Sequence, residues 1–206
     1  MKLTKLTDTI FIVEDFLTRQ ECLDSIVKSE GIGYELAKVN TAGGAKVRPD
    51  IRNNSRAFYK SEELAQELWT KIQLFVPTPV ANSTAIGLNE LFRFYRYQRG
   101  HKFKGHYDES YIRNEREASY FTFMVYLNDN FQGGDTTFRG LRVRPKQGMA
   151  LLFLHSLYHE GSEVTQGVKY VLRSDVMYRT GVIVGSCKSS LQSDQVLRFL
   201  SCKRRG

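Results

Sequence analysis

The sequence is poor in cysteine. It has three, Cys22, Cys187 and Cys202, which stand far apart and form no CxxC pair. An odd number of widely spaced cysteines argues against a disulfide framework and is typical of a protein in a reducing compartment. Without paired cysteines, a zinc ribbon is excluded as well.

Long hydrophobic runs are also absent. The longest strongly apolar run, residues 149–154, is far shorter than the roughly 20 residues that cross a bilayer. The first residues resemble the start of a secretory signal, but Asp8, Glu14 and Asp15 interrupt the apolar stretch that should follow. We therefore expect no membrane association, no secretory signal and a cytoplasmic location.

The composition is that of a globular protein. The 206 residues suit one domain that spans residues 1–206, with 41% hydrophobic and 25% charged residues. Thirty Lys and Arg against 22 Asp and Glu give a net charge of +8. This balance favours an anionic partner and says nothing about the fold.

The first 88 residues predict a strand and two helices. Residues 9–16 have the pattern of a strand that runs into a turn. Thr18 and Glu21 form a capping-box pattern, so the first helix should begin there and end near Gly31. Its predicted buried stripe consists of Leu23, Ile26 and Val27.

A polar stretch, residues 40–55, separates the two helices. It contains Gly43, Gly44 and Pro49, which are typical of a loop or a flexible hairpin. The second helix should begin at Ser61 and end before Pro77. Its predicted buried face consists of Leu64, Leu68, Ile72 and Phe75.

From residue 89 onward the hydrophobic pattern is that of strands. Five are predicted, separated by glycine, proline and asparagine turns, at residues 91–97, 119–127, 136–144, 149–155 and 168–179. Helices followed by many strands predict an α+β domain with helices packed on one face of a β-barrel or sandwich. The tail, residues 181–206, contains a short helical candidate from Ser189.

The predicted strand at residues 119–127 has two distinct faces. One face carries Phe121, Phe123, Val125 and Leu127, and the other carries Tyr120, Thr122, Met124 and Tyr126. Because strand side chains alternate, the apolar face should lie under the helices and the polar-aromatic face should line a cavity.

The sequence has only four histidines, so few residues can serve as imidazole ligands to a metal. His106 and Asp108 are two residues apart, so on an extended segment both side chains point to the same side. His159 follows another predicted strand, 51 residues after Asp108. Two imidazoles and a carboxylate on one side of a metal leave the other side open, as non-haem ferrous oxygenases require. Alone, the His106–Asp108 pair is a weak signal and is more typical of a half-buried loop histidine and a turn-capping aspartate.

The surrounding sequence carries a longer pattern. Tyr97-x-x-Gly100-x-x-Phe103-x-x-His106-x-Asp108 is followed by Tyr126-Leu127-Asn128, by Gly133-Gly134-Asp135-Thr136, and by His159 with Lys169 ten residues later. On these motifs, residues 89–179 resemble the prolyl 4-hydroxylase-like 2-oxoglutarate/Fe(II) dioxygenases.

This resemblance implies a fold and a set of ligands. The core, residues 89–180, is expected to be a double-stranded β-helix (jelly roll), with residues 1–88 supplying supporting helices and a substrate loop. Fe(II) would be held by His106, Asp108 and His159, with 2-oxoglutarate as co-substrate and O2 as oxidant. Ascorbate is a further cofactor candidate.

The resemblance also implies an anchor for 2-oxoglutarate. Its far carboxylate would lie in a dry pocket and need a cation, because an unpaired buried charge is unfavourable. Lys169 is the implied cation, and Tyr97 and Tyr126 are the implied hydroxyl donors. Arg173 competes, because it shares a strand face with Lys169; at about 3.3 Å per residue it would lie roughly 13 Å away, too far to share one carboxylate.

Other polar residues of the core receive lesser roles. Thr122 and Thr137 are further candidates for lining the pocket, and Tyr107 should point away from the metal because it alternates with the ligands. His155 is expected at the pocket wall or behind a ligand, since HxxxH without the required Glu is no zinc motif. His101, among basic residues, is expected to be solvated.

The segment of residues 40–56 matches the position of the substrate-covering loop in prolyl hydroxylases. Arg52, Asn54 and Arg56 could hydrogen-bond a peptide backbone or an anionic substrate, and Gly43 and Gly44 could act as hinges. The alternative is a charged, solvated loop without such a role.

The expected activity is hydroxylation of a C–H bond, with a prolyl residue in a protein or peptide as first choice, coupled to decarboxylation of 2-oxoglutarate to succinate and CO2. An oxygenase acting on nucleic acid or its associated proteins is the alternative, supported by basic residues such as Arg93, Arg96 and Arg99. No nucleic-acid recognition motif accompanies them.

A non-catalytic jelly-roll binding module is the third hypothesis. The oligomeric state is not predicted.

Overall fold

The computed structural model describes residues 1–41 and 44–181. The predicted helix after Ser189, the hinge residue Gly43, and Cys187 and Cys202 lie outside the described residues. The remaining cysteine, Cys22, is buried as a free thiol. Within the described ranges, no helix is both long and apolar enough to cross a membrane.

Two helices stand among many short strands. Helix α1 spans Arg19–Ile32 and α2 spans Glu62–Ile72, followed by a 3-10 turn at Gln73–Phe75. The strands of the described residues are, in chain order, β1 Lys2–Lys5, β2 Ile10–Glu14, β3 Glu35–Leu36, β4 Val39–Thr41, β5 Gly44–Lys46, β6 Ser55–Lys60, β7 Ser83–Leu88, β8 Leu91–Tyr97, β9 Phe103–His106, β10 Ile112–Asn114, β11 Glu117–Tyr126, β12 Gln132–Gly133, β13 Thr136–Phe138, β14 Leu141–Val143, β15 Ala150–Leu154, β16 His159–Gly161, β17 Val164–Gln166 and β18 Lys169–Thr180.

The strands form a large and a small antiparallel sheet that pack face to face. The large sheet runs β1-β2-β15-β11-β18-β8-β6-β3, with β10 and β7 beside β11 and β18. The small sheet runs β14-β13-β16-β9, and two-stranded pairs join β12 with β17 and β4 with β5. This is the expected α+β arrangement with a double-stranded β-helix core.

Two hydrophobic cores lie on opposite faces of the large sheet. The outer core packs the sheet against the helices, and includes Ala65, Leu68 and Ile72 of α2. The inner core, between the two sheets, contains Met124, Tyr126 and Phe153 and surrounds the candidate site. The two-faced prediction for residues 119–127 is confirmed for the apolar face and for Met124 and Tyr126; Tyr120 departs from it, because a register shift between Ser119 and Phe121 turns it onto Tyr178 of the outer core.

Helix α1 begins where the capping box predicts. Thr18 Oγ1 accepts a hydrogen bond from the Glu21 amide, and the Glu21 carboxylate accepts one from the Thr18 amide. Of the predicted stripe, Ile26 is confirmed, because it packs on the outer core, whereas Leu23 and Val27 are wrong, at 42% and 71% exposed. The helix faces the sheet through Cys22, Ile26 and Ser29, which follow helical spacing.

Other boundaries also differ from the prediction. The predicted strand at residues 136–144 is two strands, β13 and β14, joined at Gly140 with a φ of +76°. The polar segment does contain a hairpin, β4–β5, but its end enters β6, which pairs with β8. Strand β6 is missing from the sequence prediction, because its place is fixed by pairing with β8.

Candidate metal centre and co-substrate pocket

The three predicted metal ligands converge in the structure. His106 ends β9, Asp108 follows it, and His159 begins β16, which pairs with β9 so that His159 lies opposite His106. The potential ligand atoms of the three side chains all lie within 4.8 Å of one another. His106 Nε2 is 3.7 Å from Asp108 Oδ1, and His159 Nε2 is 3.6 Å from Asp108 Oδ2.

Both imidazoles are oriented by backbone carbonyls. Nδ1 of His106 is 2.8 Å from the Lys104 carbonyl oxygen, and Nδ1 of His159 is 2.9 Å from that of Leu157. When Nδ1 carries the proton and donates it there, the Nε2 lone pair faces the centre. Burial lowers the pKa of His106 to about 4, helped by His159, and burial also lowers the pKa of His159. Neutral imidazoles are the form that binds a metal.

Asp108 is held by two side chains that sequence reasoning did not link to it. Arg173 Nη2 lies 2.9 Å from Asp108 Oδ1, and the Thr122 hydroxyl donates to Oδ2 at 2.5 Å. Burial opposes ionisation, but the Arg173 charge, His159 and the Thr122 hydrogen bond together outweigh it and hold the pKa of Asp108 well below its usual range. The carboxylate is therefore ionised, as a metal ligand must be.

Lys169 is a buried cation at the other end of the pocket. Its side chain is 2% exposed, and its ammonium donates to the Gly134 carbonyl at 2.5 Å. The ammonium also lies 5.3 Å and 5.2 Å from the ring centres of Tyr97 and Tyr126. Burial lowers the pKa of Lys169 to about 7, with Asp135 partly offsetting it. No carboxylate of the described residues lies within ion-pair distance, so a ligand carboxylate fits this cation.

The two predicted tyrosines also line or border this pocket. Tyr97 lies opposite Lys169 on the neighbouring strand β8, and burial raises its pKa to about 12. Tyr126 is fully buried, and its hydroxyl donates to Thr136 Oγ1 at 2.7 Å. Thr136, rather than the predicted Thr137, lines the pocket, while Thr122 lines it as predicted.

Arg173 and Tyr95 belong to the pocket as well. Arg173 Nη1 lies 3.2 Å from the Tyr95 hydroxyl, and Nη2 lies 3.4 Å from Asp175 Oδ1. Arg173 thus contacts the metal-ligand end, and Lys169 stands apart from it on the same strand. Although Tyr95 aligns with Tyr97 at the alternating spacing, nothing in its local sequence pointed to a site role.

Of the predicted substrate residues, Arg52 and Asn54 lie beside the same pocket. Arg52 and Asn54 are buried, and Arg52 Nε donates to Asn54 Oδ1 at 2.7 Å. The Arg52 guanidinium lies over the rings of Phe103 and Tyr95, so the solvated-loop alternative does not hold for it. Arg56 is half-buried, 3.6 Å from Glu35 and over the ring of Phe58.

Three remaining predictions concern residues near the ligands. Tyr107 is exposed and packs on Tyr158, as its alternation predicts. His155 is buried behind Asp108, whose amide donates to the His155 carbonyl. His101 is half-buried rather than solvated, because its ring packs into the fold and burial lowers its pKa.

Comparisons with known proteins show what the chain is similar to. The model of the 2OG-Fe(II) oxygenase superfamily matches residues 92–174, a range that contains the three converging ligands and Lys169. This range is similar to that superfamily, and the chain resembles prolyl 4-hydroxylases. Enzymes of the superfamily use Fe(II), 2-oxoglutarate and O2, and the site has a fitting set of donors.

Two curated relatives come from Arabidopsis thaliana. Prolyl 4-hydroxylase 1 is 26% identical over 194 residues, covering 78% of this chain and 66% of that protein. Probable prolyl 4-hydroxylase 11 is 30% identical over 148 residues, covering 66% of this chain and 49% of that protein. The chain thus spans about half to two thirds of the length of such relatives.

Solved structures share the fold at low identity. The viral collagen prolyl hydroxylase of Paramecium Bursaria Chlorella virus-1, in its 2OG complex, matches with a TM-score of 0.60 and 20% identity, covering 84% of this chain and 97% of that one. A Pseudomonas putida prolyl-4-hydroxylase matches with a TM-score of 0.60 and 17% identity, over 85% and 95%. A Trichoplax adhaerens prolyl hydroxylase, in complex with a hypoxia inducible factor peptide fragment, matches with 0.61 and 18%, over 82% and 84%.

Proposed function

We propose that the protein is a 2-oxoglutarate- and Fe(II)-dependent dioxygenase that hydroxylates a prolyl residue in a protein or peptide, with decarboxylation of 2-oxoglutarate to succinate and CO2. The observation that carries the proposal is the convergence of His106, Asp108 and His159 in one pocket with the unpaired buried cation Lys169. The whole chain, residues 1–206, acts as one catalytic domain in this proposal.

Each side chain has a task that its surroundings support. His106, Asp108 and His159 hold the iron, with imidazoles oriented by carbonyls and a carboxylate held by Arg173 and Thr122. When bound together, iron and 2-oxoglutarate supply the activation of O2. The chain positions both and excludes water.

Lys169 pairs with the far carboxylate of 2-oxoglutarate in this proposal, and Tyr97 and Tyr126 form the walls around it. Arg173 does not compete for that carboxylate, because its guanidinium is already within contact of Asp108, Asp175 and Tyr95. Arg52, held by Asn54, borders the substrate side of the pocket, and Arg56 stays a predicted substrate contact.

The choice of a prolyl substrate rests on the relatives named prolyl 4-hydroxylases. A nucleic-acid substrate has no comparable support, and several arginines are paired with carboxylates, such as Arg96 with Glu30 and Arg113 with Glu90. A degenerate binding module is opposed by the intact ligand set. Cytoplasmic location and the need for ascorbate stay predictions.

The test is turnover of the purified protein with Fe(II), 2-oxoglutarate and air. Succinate is measured together with a gain of about 16 Da on proline-containing peptides and on proteins of a cell extract. Asp108→Ala is expected to abolish both signals, whereas the matched surface variant Asp8→Ala, at a side chain that is 92% exposed, keeps them. Unchanged succinate formation in Asp108→Ala would contradict the metal assignment. A gel shift with DNA and RNA tests the alternative substrate class.

A further inference from the structure

Arg52 is a buried cation with an incomplete set of partners. Its side chain is 6% exposed, and Nε donates a hydrogen bond to the neutral amide oxygen of Asn54. Nη2 is buried without a hydrogen-bond partner. Among the described residues, no carboxylate oxygen lies within 4 Å of this guanidinium, to judge from the ion pairs that the structure contains.

The neighbouring half-buried arginines differ in this respect. Arg173 contacts the carboxylates of Asp108 and Asp175, and Arg93 contacts Asp175 at 3.1 Å. Burying a guanidinium without a counter-charge is unfavourable, because the ion loses its hydration and gains no Coulomb attraction in return. Arg52 is therefore the side chain in this region that an incoming anion would satisfy.

Its location connects the unpaired charge to the reaction pocket. The guanidinium lies 4.3 Å from the ring centre of Phe103 and 4.6 Å from that of Tyr95. Both rings line the pocket, and Phe103 stacks on the metal-ligand candidate His106 with ring centres 3.5 Å apart. An anion that reaches Arg52 would thus belong to a molecule seated at this pocket.

The segment that carries Arg52 is fixed in place. The Lys104 amide donates to the Ile51 carbonyl at 2.9 Å, and the Lys102 amide donates to the Asn53 side chain at 2.7 Å. These bonds join the segment to the strand that ends at His106. The guanidinium is therefore pre-organised, which reduces the entropy lost when a ligand binds.

We propose that the primary substrate is an acidic peptide, with a carboxylate close to the hydroxylated residue that pairs with Arg52. This inference rests on the proposed function. The carboxylate of 2-oxoglutarate is not the partner in this proposal, because Lys169 is a separate unpaired cation for its far end and the other end belongs to the metal. The planar guanidinium matches a carboxylate through two parallel hydrogen bonds, and Nη2 is free for one of them.

The test compares peptides that differ in one charge. Pairs of fluorescent proline-containing peptides carry either glutamate or glutamine at each position within three residues of the proline. Their affinities are measured by fluorescence anisotropy with Fe(II) and 2-oxoglutarate under argon, where no turnover occurs. For at least one position we expect the glutamate peptide to bind about tenfold more tightly or better.

Variants assign that preference to the residue. Arg52→Gln is expected to bring the two peptides within about twofold of each other, and Arg52→Lys to keep part of the preference. Arg48→Gln is the matched control, because Arg48 lies in the same segment but is exposed and paired with Asp50. It is expected to keep the whole preference. If Arg52 had a merely structural role, its replacement would lower the affinities for both peptides equally and leave the ratio of the two affinities unchanged.

Should Arg52→Gln fail to fold, an NMR experiment on the wild-type protein tests the proposal instead. Loaded with Zn(II) as a diamagnetic substitute, it is expected to show an Arg52 Nε–Hε NMR signal that moves with the glutamate peptide and stays with the glutamine peptide. Equal affinities for all peptide pairs, no binding of any peptide, or an intact preference in Arg52→Gln would each overturn the proposal. Succinate formation distinguishes failure of this proposal from failure of the proposed function. If the protein forms succinate but binds glutamate and glutamine peptides equally, only the acidic-substrate proposal is refuted.

Discussion

The guanidinium of Arg173 lies on the carboxylate of Asp108, with Nη2 2.9 Å from Oδ1. The other carboxylate oxygen accepts the hydroxyl proton of Thr122. Arg173 is in turn held by Tyr95 and Asp175. The central carboxylate of the proposed metal site is therefore fixed from behind by a chain of buried polar groups, and its orientation does not depend on the metal alone.

This contact predicts the effect of Arg173→Met on metal binding. Losing a group that orients a ligand is expected to weaken Fe(II) affinity by about 10–100-fold. Titration with Mn(II), followed by the loss of its free electron paramagnetic resonance signal, measures this without turnover. The control is Arg179→Met, which removes an exposed arginine paired with Glu117. Equal metal affinity in the Arg173 variant and wild type would show that Asp108 needs no such support.

The strands that carry the site could be predicted from the sequence, because their patterns are strong. Residues 91–97 are β8 as predicted, and β15 and β18 agree within two residues. In α1 only Ile26 of the predicted stripe was right, since the apolar pattern is weak and the helix packs with Cys22 rather than Leu23 inward. Strand β6 was missed because its place is fixed by pairing with β8, a contact that local sequence does not encode.

The metal ligands could be predicted from the sequence, but the side chains that hold them in place could not. His106, Asp108, His159 and Lys169 stand at spacings that a family motif records. The contact between Arg173 and Asp108 joins positions 65 residues apart. No spacing rule describes it, because the contact arises from two sheets facing each other. Likewise, the burial of Arg52 depends on a bridge to Phe103 that only the folded chain reveals.

Replacement of Lys169 by methionine separates binding from stability. Without the ammonium, the KM for 2-oxoglutarate is expected to rise by about tenfold or more, because the far carboxylate loses its partner. Without 2-oxoglutarate, the same variant is expected to be about 1 kcal/mol more stable, because a buried unpaired charge is removed. For a domain of this size, that gain raises the melting temperature by about 2–4 °C. Steady-state kinetics and calorimetry measure the two effects. Lys146→Met is the control, since Lys146 is exposed and forms an ion pair with Glu14.

The pH dependence of 2-oxoglutarate binding follows from the same lysine. Burial lowers its pKa to about 7, so the free protein loses the ammonium charge as the pH rises through that value. Affinity for 2-oxoglutarate is therefore expected to fall between pH 7 and 9, by up to about tenfold per pH unit. Titration calorimetry under argon tests this. Lys169→Arg keeps its charge throughout and is expected to bind with little pH dependence, so a parallel decline in that variant would place the titrating group elsewhere.

Folding stability should respond to pH in the opposite sense. Lys169 is deprotonated above about pH 7 in the folded chain but stays protonated to about pH 10.4 when unfolded. Because the unfolded state binds more protons in this window, stability gains from this group as pH rises. The melting temperature of wild type relative to Lys169→Met is thus expected to increase from pH 7 to 9. A constant difference between the two proteins would mean that Lys169 stays protonated throughout this pH range in the folded chain, as it does in the unfolded chain.

The two pocket tyrosines are expected to contribute unequally, although both were predicted as hydroxyl donors. Tyr126 already donates its hydroxyl proton to Thr136, whereas Tyr97 lies opposite Lys169 and lines the pocket. Tyr97→Phe should therefore raise the KM for 2-oxoglutarate by about fivefold, the loss of one neutral hydrogen bond. Tyr126→Phe should change that KM by less than about twofold and instead lower the melting temperature, because Thr136 loses a buried partner. A larger KM effect in Tyr126→Phe would mean that its hydroxyl turns from Thr136 to the co-substrate on binding.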